Sequence, residues 1–257
     1  MCFNKEWSLA FTLTSCGLGA WVMTGKGIWK SLAMWQRCRI TACFLFFAAM
    51  EILQFFQYLV INDCDSMVNI VLTALGYIHI CWQPIFSNLA LSALDVNNFN
   101  KEREILWQFV LKFGFAAGLF MSLRILIPAF ANIPENFIFK PCSSYEGLCG
   151  EKMCTTNGIY HLKWTFKLLK SSYYFPNTAA HFLFMFVAPF VLGLRWQSIV
   201  LFLTGPFIAT LFRGGVSDGE RSAIWCFFSI CESFITIITA YYACKVQLKD
   251  SMKKKNA

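Results

Sequence analysis

From Val68 to Ser92 the chain runs without a single Asp, Glu, Lys or Arg. As an α-helix rising about 1.5 Å per residue, that run spans about 37 Å, more than the roughly 30 Å of a bilayer's hydrocarbon core. Comparable apolar runs recur along the sequence. Hydrophobic residues make up 57% of the chain and charged residues 14%, where a soluble domain carries roughly 45–50% and 25%. That balance fits lipid as the solvent. In lipid every backbone N–H and C=O must be paired within the segment, so the runs are expected as helices. The expected fold is all-α, one integral membrane bundle over residues 1–257.

Uninterrupted apolar length predicts seven transmembrane helices, at residues 7–24, 40–61, 68–92, 105–131, 175–194, 197–213 and 222–244, with a long outer loop at 132–174. The net charge of +8 does not point to nucleic acid, because the cations lie between and after the apolar spans. Such placement is topogenic and sets orientation. Lys26, Lys30, Arg37, Arg39, Lys101, Arg103, Arg195, Lys245 and Lys253–Lys255 fall in alternate segments, whereas Asn62–Met67 has Asp63 and Asp65 and no cation. The N-terminus is therefore expected outside and the C-terminus in the cytoplasm. The long outer loop carries five lysines, but long segments cross largely regardless of charge.

Cysteine placement tests the same orientation. Cys64, Cys142, Cys149 and Cys154 fall in the proposed outer loops, on the oxidising side, where an even number favours disulfides. Zinc is disfavoured by spacings that do not follow the C-x2-C pattern. One bridge local to "PCSSYEGLCGEKMCTTNG" and one pinning that loop to Cys64 is the expected arrangement, with pairing left open.

Ionisable groups at mid-span carry the functional signal. An unpaired charge there costs at least about 2.5–3.5 kcal/mol, so such residues face the bundle interior and have partners. Glu51, His79 and Glu232 qualify. At about 100° per residue, Gln54 and Tyr58 share the face of Glu51, Gln83 that of His79, and Ser229 that of Glu232. Three polar stripes that face one another would place the two carboxyl groups and the imidazole in one site or along one path. That is chemistry for binding or relaying a proton or cation. Lys112 and Arg124 are expected to snorkel toward opposite interfaces.

The first expectation is a proton- or cation-linked small-solute transporter or channel in a plasma membrane or endomembrane, with Gln54, Gln83, Tyr58 and Ser229 as hydrogen-bonding groups. A receptor with a polar pocket comes second. An intramembrane metal hydrolase comes third, since it would need His79, His161 and His181 to converge. No cofactor, resident metal or nucleic-acid partner is expected; the lipid bilayer is the partner, and nothing bears on oligomerisation. A retinal pigment is excluded because 222–244 contains no lysine for a Schiff base. The stretches "MEILQ", "GYIHICWQP" and "ERSAIWCFFSICESF" resemble an uncharacterised family of multi-pass membrane proteins known only by a domain-of-unknown-function label. The resemblance covers most of the chain and implies no activity.

Overall fold

The computed structural model describes residues 4–95, 101–130, 152–169, 178–212, 215–228 and 230–255. Among them are four long helices in sequence: α1 (Lys5–Thr24), α2 (Met34–Leu59), α3 (Met67–Leu94) and α4 (Lys101–Phe130). A short antiparallel hairpin follows, β1 (Cys154–Asn157) and β2 (Leu162–Thr165). Next come two helical runs, each interrupted by a π-helical turn. We call α5 the run Thr178–Phe182, Leu183–Val187 and Ala188–Val191, and α6 the run Arg195–Phe202, Leu203–Phe207 and Ile208–Leu211. The chain ends with α7 (Asp218–Phe228) and α8 (Ile230–Lys255).

Four helical stretches are long and apolar enough to cross a membrane: Met34–Leu59, Met67–Leu94, Lys101–Pro128 and Asp218–Val246, the last running from α7 into α8. The helical prediction therefore holds, while seven full spans do not emerge among the described residues. Ala179–Val191 is a shorter apolar helix.

Small residues let α1 approach the bundle. Its buried positions Ser8, Thr12, Ser15 and Gly19 form one stripe, the kind of surface that allows helix backbones to pack closely in lipid. Thr41 of α2 donates to the Gly19 carbonyl at 3.3 Å. Gly25 ends α1 at φ +62°, and the Arg37 guanidinium covers that end by donating to the Met23 carbonyl. At this end of the bundle Val22, Trp29, Ile40, Phe44, Leu94 and Ala240 pack as one apolar cluster.

A proline accompanies each π-helical turn. Pro189 and Pro206 have no N–H to offer the preceding turn, and close to them Ala188, just before the first, and Ile208, two residues after the second, reach back five residues to Leu183 and Leu203. Carbonyls freed by such turns need other donors. Asn88 of α3 donates to the Phe184 carbonyl at 2.8 Å, and Ser198 of α6 donates to that of Phe186.

The outer-loop prediction needs correction at 152–169. A loop was expected, but these residues fold into the bundle as a wedge between α2, α3 and α7. Leu162, Trp164 and Phe166 alternate inward and are fully buried, packed with Met50, Tyr77, Ile125 and Ala223. Cys154 is bonded to Cys64, in the turn between α2 and α3. That is the pinning bridge the cysteine pattern anticipated; Cys142 and Cys149 lie outside the described residues. Arg124 is also corrected: it is 1% exposed and donates through Nε to the Leu169 carbonyl at 2.8 Å, so it ties the wedge to α4 instead of snorkelling. Lys112 is exposed.

Candidate functional site

The polar residues near the end of α2 receive the hairpin. Trp164 Nε1 donates to Gln57 Oε1 at 3.0 Å, and Gln57 Nε2 donates to the Leu72 carbonyl at 2.8 Å, so one amide joins three elements. Gly76 makes room for this junction: a Cβ there would lie 3.2 Å from Gln57 Nε2 and 3.7 Å from the Trp164 ring. His161 accepts from or donates to Tyr58 Oη at 2.5 Å through Nδ1, and its Nε2 meets Gln54 Oε1 at 3.1 Å. Oε1 of Gln54 can only accept. Nε2 of His161 therefore donates to Gln54, and because burial favours the neutral imidazole, Nδ1 accepts from Tyr58.

The outer edge of β1 is also satisfied by side chains. Asn69 accepts from Thr155 N at 2.9 Å and donates to the Thr155 carbonyl at 3.0 Å, acting like a neighbouring strand. Asn62 Oδ1 accepts from Asn157 N. At the hairpin turn, the buried carboxylate of Glu220 in α7 accepts from the backbone N–H groups of Tyr160 and His161, at 2.5 and 3.1 Å. Gly158 lets that carboxylate approach, since a Cβ there would come within 2.4 Å of Glu220 Cδ.

Burial of His161 has a pH consequence. Desolvation pushes its imidazole down from the usual 6.5 to about 3. The unfolded or undocked hairpin binds a proton below about pH 6.5, and the docked one does not until about pH 3, so the stability from docking is present above the first value and lost as pH falls toward the second. Acidifying from about pH 7 to about pH 5 should destabilise the wild type by roughly 2 kcal/mol through this group. The check is thermal unfolding in detergent at the two pH values, with His161→Gln as reference. An equal pH response in both proteins would remove His161 as the cause.

Deeper in the bundle lie the two glutamates. Glu51 is 3% exposed and faces Ser8 of α1, yet neither carboxylate oxygen makes a hydrogen bond. Tyr58 and Cys226 are within electrostatic reach of it. Glu232, at the start of α8 and equally buried, faces Ser87 of α3 and Cys43 of α2. Cys43 precedes Glu51 by two helical turns, about 12 Å along α2. The two carboxyl groups thus occupy successive levels of the bundle.

Gln83 of α3 lies between those levels. It is 1% exposed, faces the Cys226 thiol, and has neither its amide oxygen nor its nitrogen hydrogen-bonded. Two cavities meet at Gln83 and Trp225. One, of about 70 Å³, is bounded also by Tyr77, Met121, His181 and Cys226, and holds a few waters by volume. The other, of about 10 Å³, reaches Glu232 and Gly205 and is the size of one water. Trp225 is seated by both π-helical turns. It packs 5.8 Å from Phe186, and a Cβ on Gly205 would lie 2.6 Å from its Nε1.

His79 sits apart from this line. Its Nε2 meets the Phe46 carbonyl at 2.8 Å and its ring stacks on Phe46 at 3.7 Å, so it joins α2 to α3, and neither glutamate is among its described contacts. The buried histidine beside Gln83 is His181, which the sequence reading named only for the hydrolase alternative. Ser229 lies outside the described residues. The three histidines lie in different surroundings, His79 against Phe46, His161 against Tyr58 and Gln54, and His181 beside Trp225, and no metal-ligand cluster occurs among the described residues, which leaves the hydrolase expectation without its centre.

His161, Trp164 and Glu220 were missed as organising residues. The signal was present: Asn157-Gly158 is a strong hairpin-turn dipeptide, and Leu162, Trp164 and Phe166 alternate as a half-buried strand does.

Fold and site together define a helical protein with four helices long enough to cross a membrane, a disulfide-held hairpin wedged into one end, and buried carboxyl groups below it. Residues 17–253 match the profile of a family of unknown function, DUF5765, and the chain belongs to that family. No curated protein and no solved structure matches it.

Proposed function

We propose that this chain is a multi-pass membrane protein, crossing seven times with its N-terminus outside and its C-terminus in the cytoplasm. In that reading it carries a proton or cation, linked to a small solute, along a buried line from Glu51 through Cys226 and Gln83 to Glu232. The observation that carries this proposal is Gln83: an amide with no well-formed hydrogen bond, bordering cavities of about 70 and 10 Å³ and standing between two buried carboxyl groups. A fully buried amide without partners costs about 1–3 kcal/mol per group. Such a cost is retained where water or an ion passes, and buried ionisable residues within a membrane mark such pathways. His181 supports the path beside Gln83, and His79 serves as a helix-to-helix anchor.

The reading is tested by flux. Reconstituted in liposomes, Glu51→Gln and Glu232→Gln should each lower pH-driven proton or solute flux roughly tenfold or more, as when a titrating group is replaced by one that cannot exchange a proton. Undiminished, pH-dependent flux in Glu51→Gln would sink the assignment of Glu51.

A further inference from the structure

A further cavity, of about 420 Å³, opens between α4 and α5. Its walls are Phe113, Ala117, Phe120, Ala180, Leu183 and Phe184, with no polar side chain among them. Phe113, Phe120 and Leu183 are about half exposed, at 52%, 50% and 48%, which in a bilayer means open to acyl chains. Its inner end is formed by two small buried residues, Ala117 and Ala180. One turn along α4 from Ala117 is Met121, and the next residue after Ala180 is His181, both of which wall the 70 Å³ cavity. The apolar groove therefore comes within one helical turn of a polar cavity, with Ala117 and Ala180 standing between the two.

That polar end is unusual in its hydrogen bonding. His181 is 4% exposed and Gln83 1%, and neither the imidazole nitrogens nor the amide atoms make a well-formed hydrogen bond, the imidazole only facing the Ile80 carbonyl and the amide the Cys226 thiol. No residue lining the cavity carries a fixed charge. The two side chains together offer donors and acceptors. They complement an uncharged head that both donates and accepts. A protonated carboxyl group does so in the most economical way, since it pairs with a primary amide through two parallel hydrogen bonds, one in each direction.

We propose that this is a binding site for a long-chain fatty acid, taken up from the bilayer as the neutral acid. The chain lies between α4 and α5 and the carboxyl group meets Gln83 and His181. Pockets of this size, mostly apolar with a few convergent polar groups, are typical of small-ligand sites. The site shares Gln83 with the Glu51–Glu232 line but does not depend on the transport reading, so its test reads binding and not flux.

The probe is a long-chain fatty acid bearing a mid-chain diazirine, added to the full-length protein in lipid nanodiscs and photoactivated. Labelling should map to peptides of α4 or α5 and be displaced by the unlabelled acid, with the methyl ester displacing it about tenfold less well because the donor is lost. Gln83→Leu and His181→Phe should weaken labelling by about the same factor. Ala117→Leu, which narrows the groove and leaves the polar end intact, should also reduce it, and Gly17→Ala on α1, where a Cβ meets nothing within 4 Å, should leave it unchanged. Equal displacement by acid and ester in the unaltered protein would overturn the proposal without reliance on any variant. So would labelling that is absent or maps elsewhere.

Discussion

Trp164→Ala should lower the stability of the folded chain by about 3–5 kcal/mol, the range for an aromatic side chain removed from a closed core. The indole is fully buried among Tyr77, Phe166 and Met50. Its N–H is the partner of Gln57, which in turn holds the Leu72 carbonyl. Removing the ring opens a cavity where three elements meet and leaves an amide oxygen buried without a donor, so both penalties act together. Trp164→Phe separates them: it keeps most of the packing and should cost about 1–3 kcal/mol, chiefly for the unpaired Gln57. The measurement is denaturant or thermal unfolding in detergent micelles. If the alanine variant unfolds with the wild type, the hairpin is not part of the core.

Gly219→Ala should act through the backbone at the same place. An alanine Cβ would stand 2.0 Å from the Trp164 carbonyl oxygen and 3.1 Å from its carbonyl carbon, contacts that no rotamer change can relieve. Either α7 or β2 must move. Moving β2 withdraws Trp164 from Gln57, and moving α7 withdraws the Glu220 carboxylate from the N–H groups of Tyr160 and His161. The expected cost is at least the roughly 1–3 kcal/mol of an overpacked core, and it should appear also as protease cleavage between Gly158 and His161. An unchanged melting temperature with an intact, uncleaved hairpin would show that α7 and β2 are not in the contact described. The nearby Gly215→Ala is a poor control because Gly215 itself has φ +88°; Gly17→Ala, where a Cβ meets nothing within 4 Å, is a better one.

The helices were readable because length and apolarity are local properties. Residues 68–92 declare a helix long enough to span lipid whatever surrounds them, and α3 covers Met67–Leu94. The short runs at 175–194 and 197–213 were harder, because Pro189 and Pro206 do not break those helices but accompany π turns in them, with Asn88 and Ser198 supplying donors from elsewhere in the chain. Helical periodicity correctly grouped Glu51, Gln54 and Tyr58 on one face. What it could not supply was the partner. Gln54 and Tyr58 meet His161, a residue more than a hundred positions later in a segment read as an exposed loop. Glu51 alone of that group remains directed to the interior, toward Ser8 and Cys226. Position along the membrane normal was equally out of reach: Glu232 is central in the span read at 222–244, yet it lies in the first turn of α8 and faces Cys43, not the level of Glu51.

The bridge between Cys64 and Cys154 also sets an order of events in time. The two residues are separated by 90 positions, so at roughly 5–20 residues per second Cys64 waits about 5–18 s as a lone thiol before its partner is even made. Gly219 and Glu220, which hold the hairpin from its other side, are synthesised later still. The hairpin can therefore be stapled to the α2–α3 turn before the helix that closes over it exists, and α7 assembles against a strand already in place.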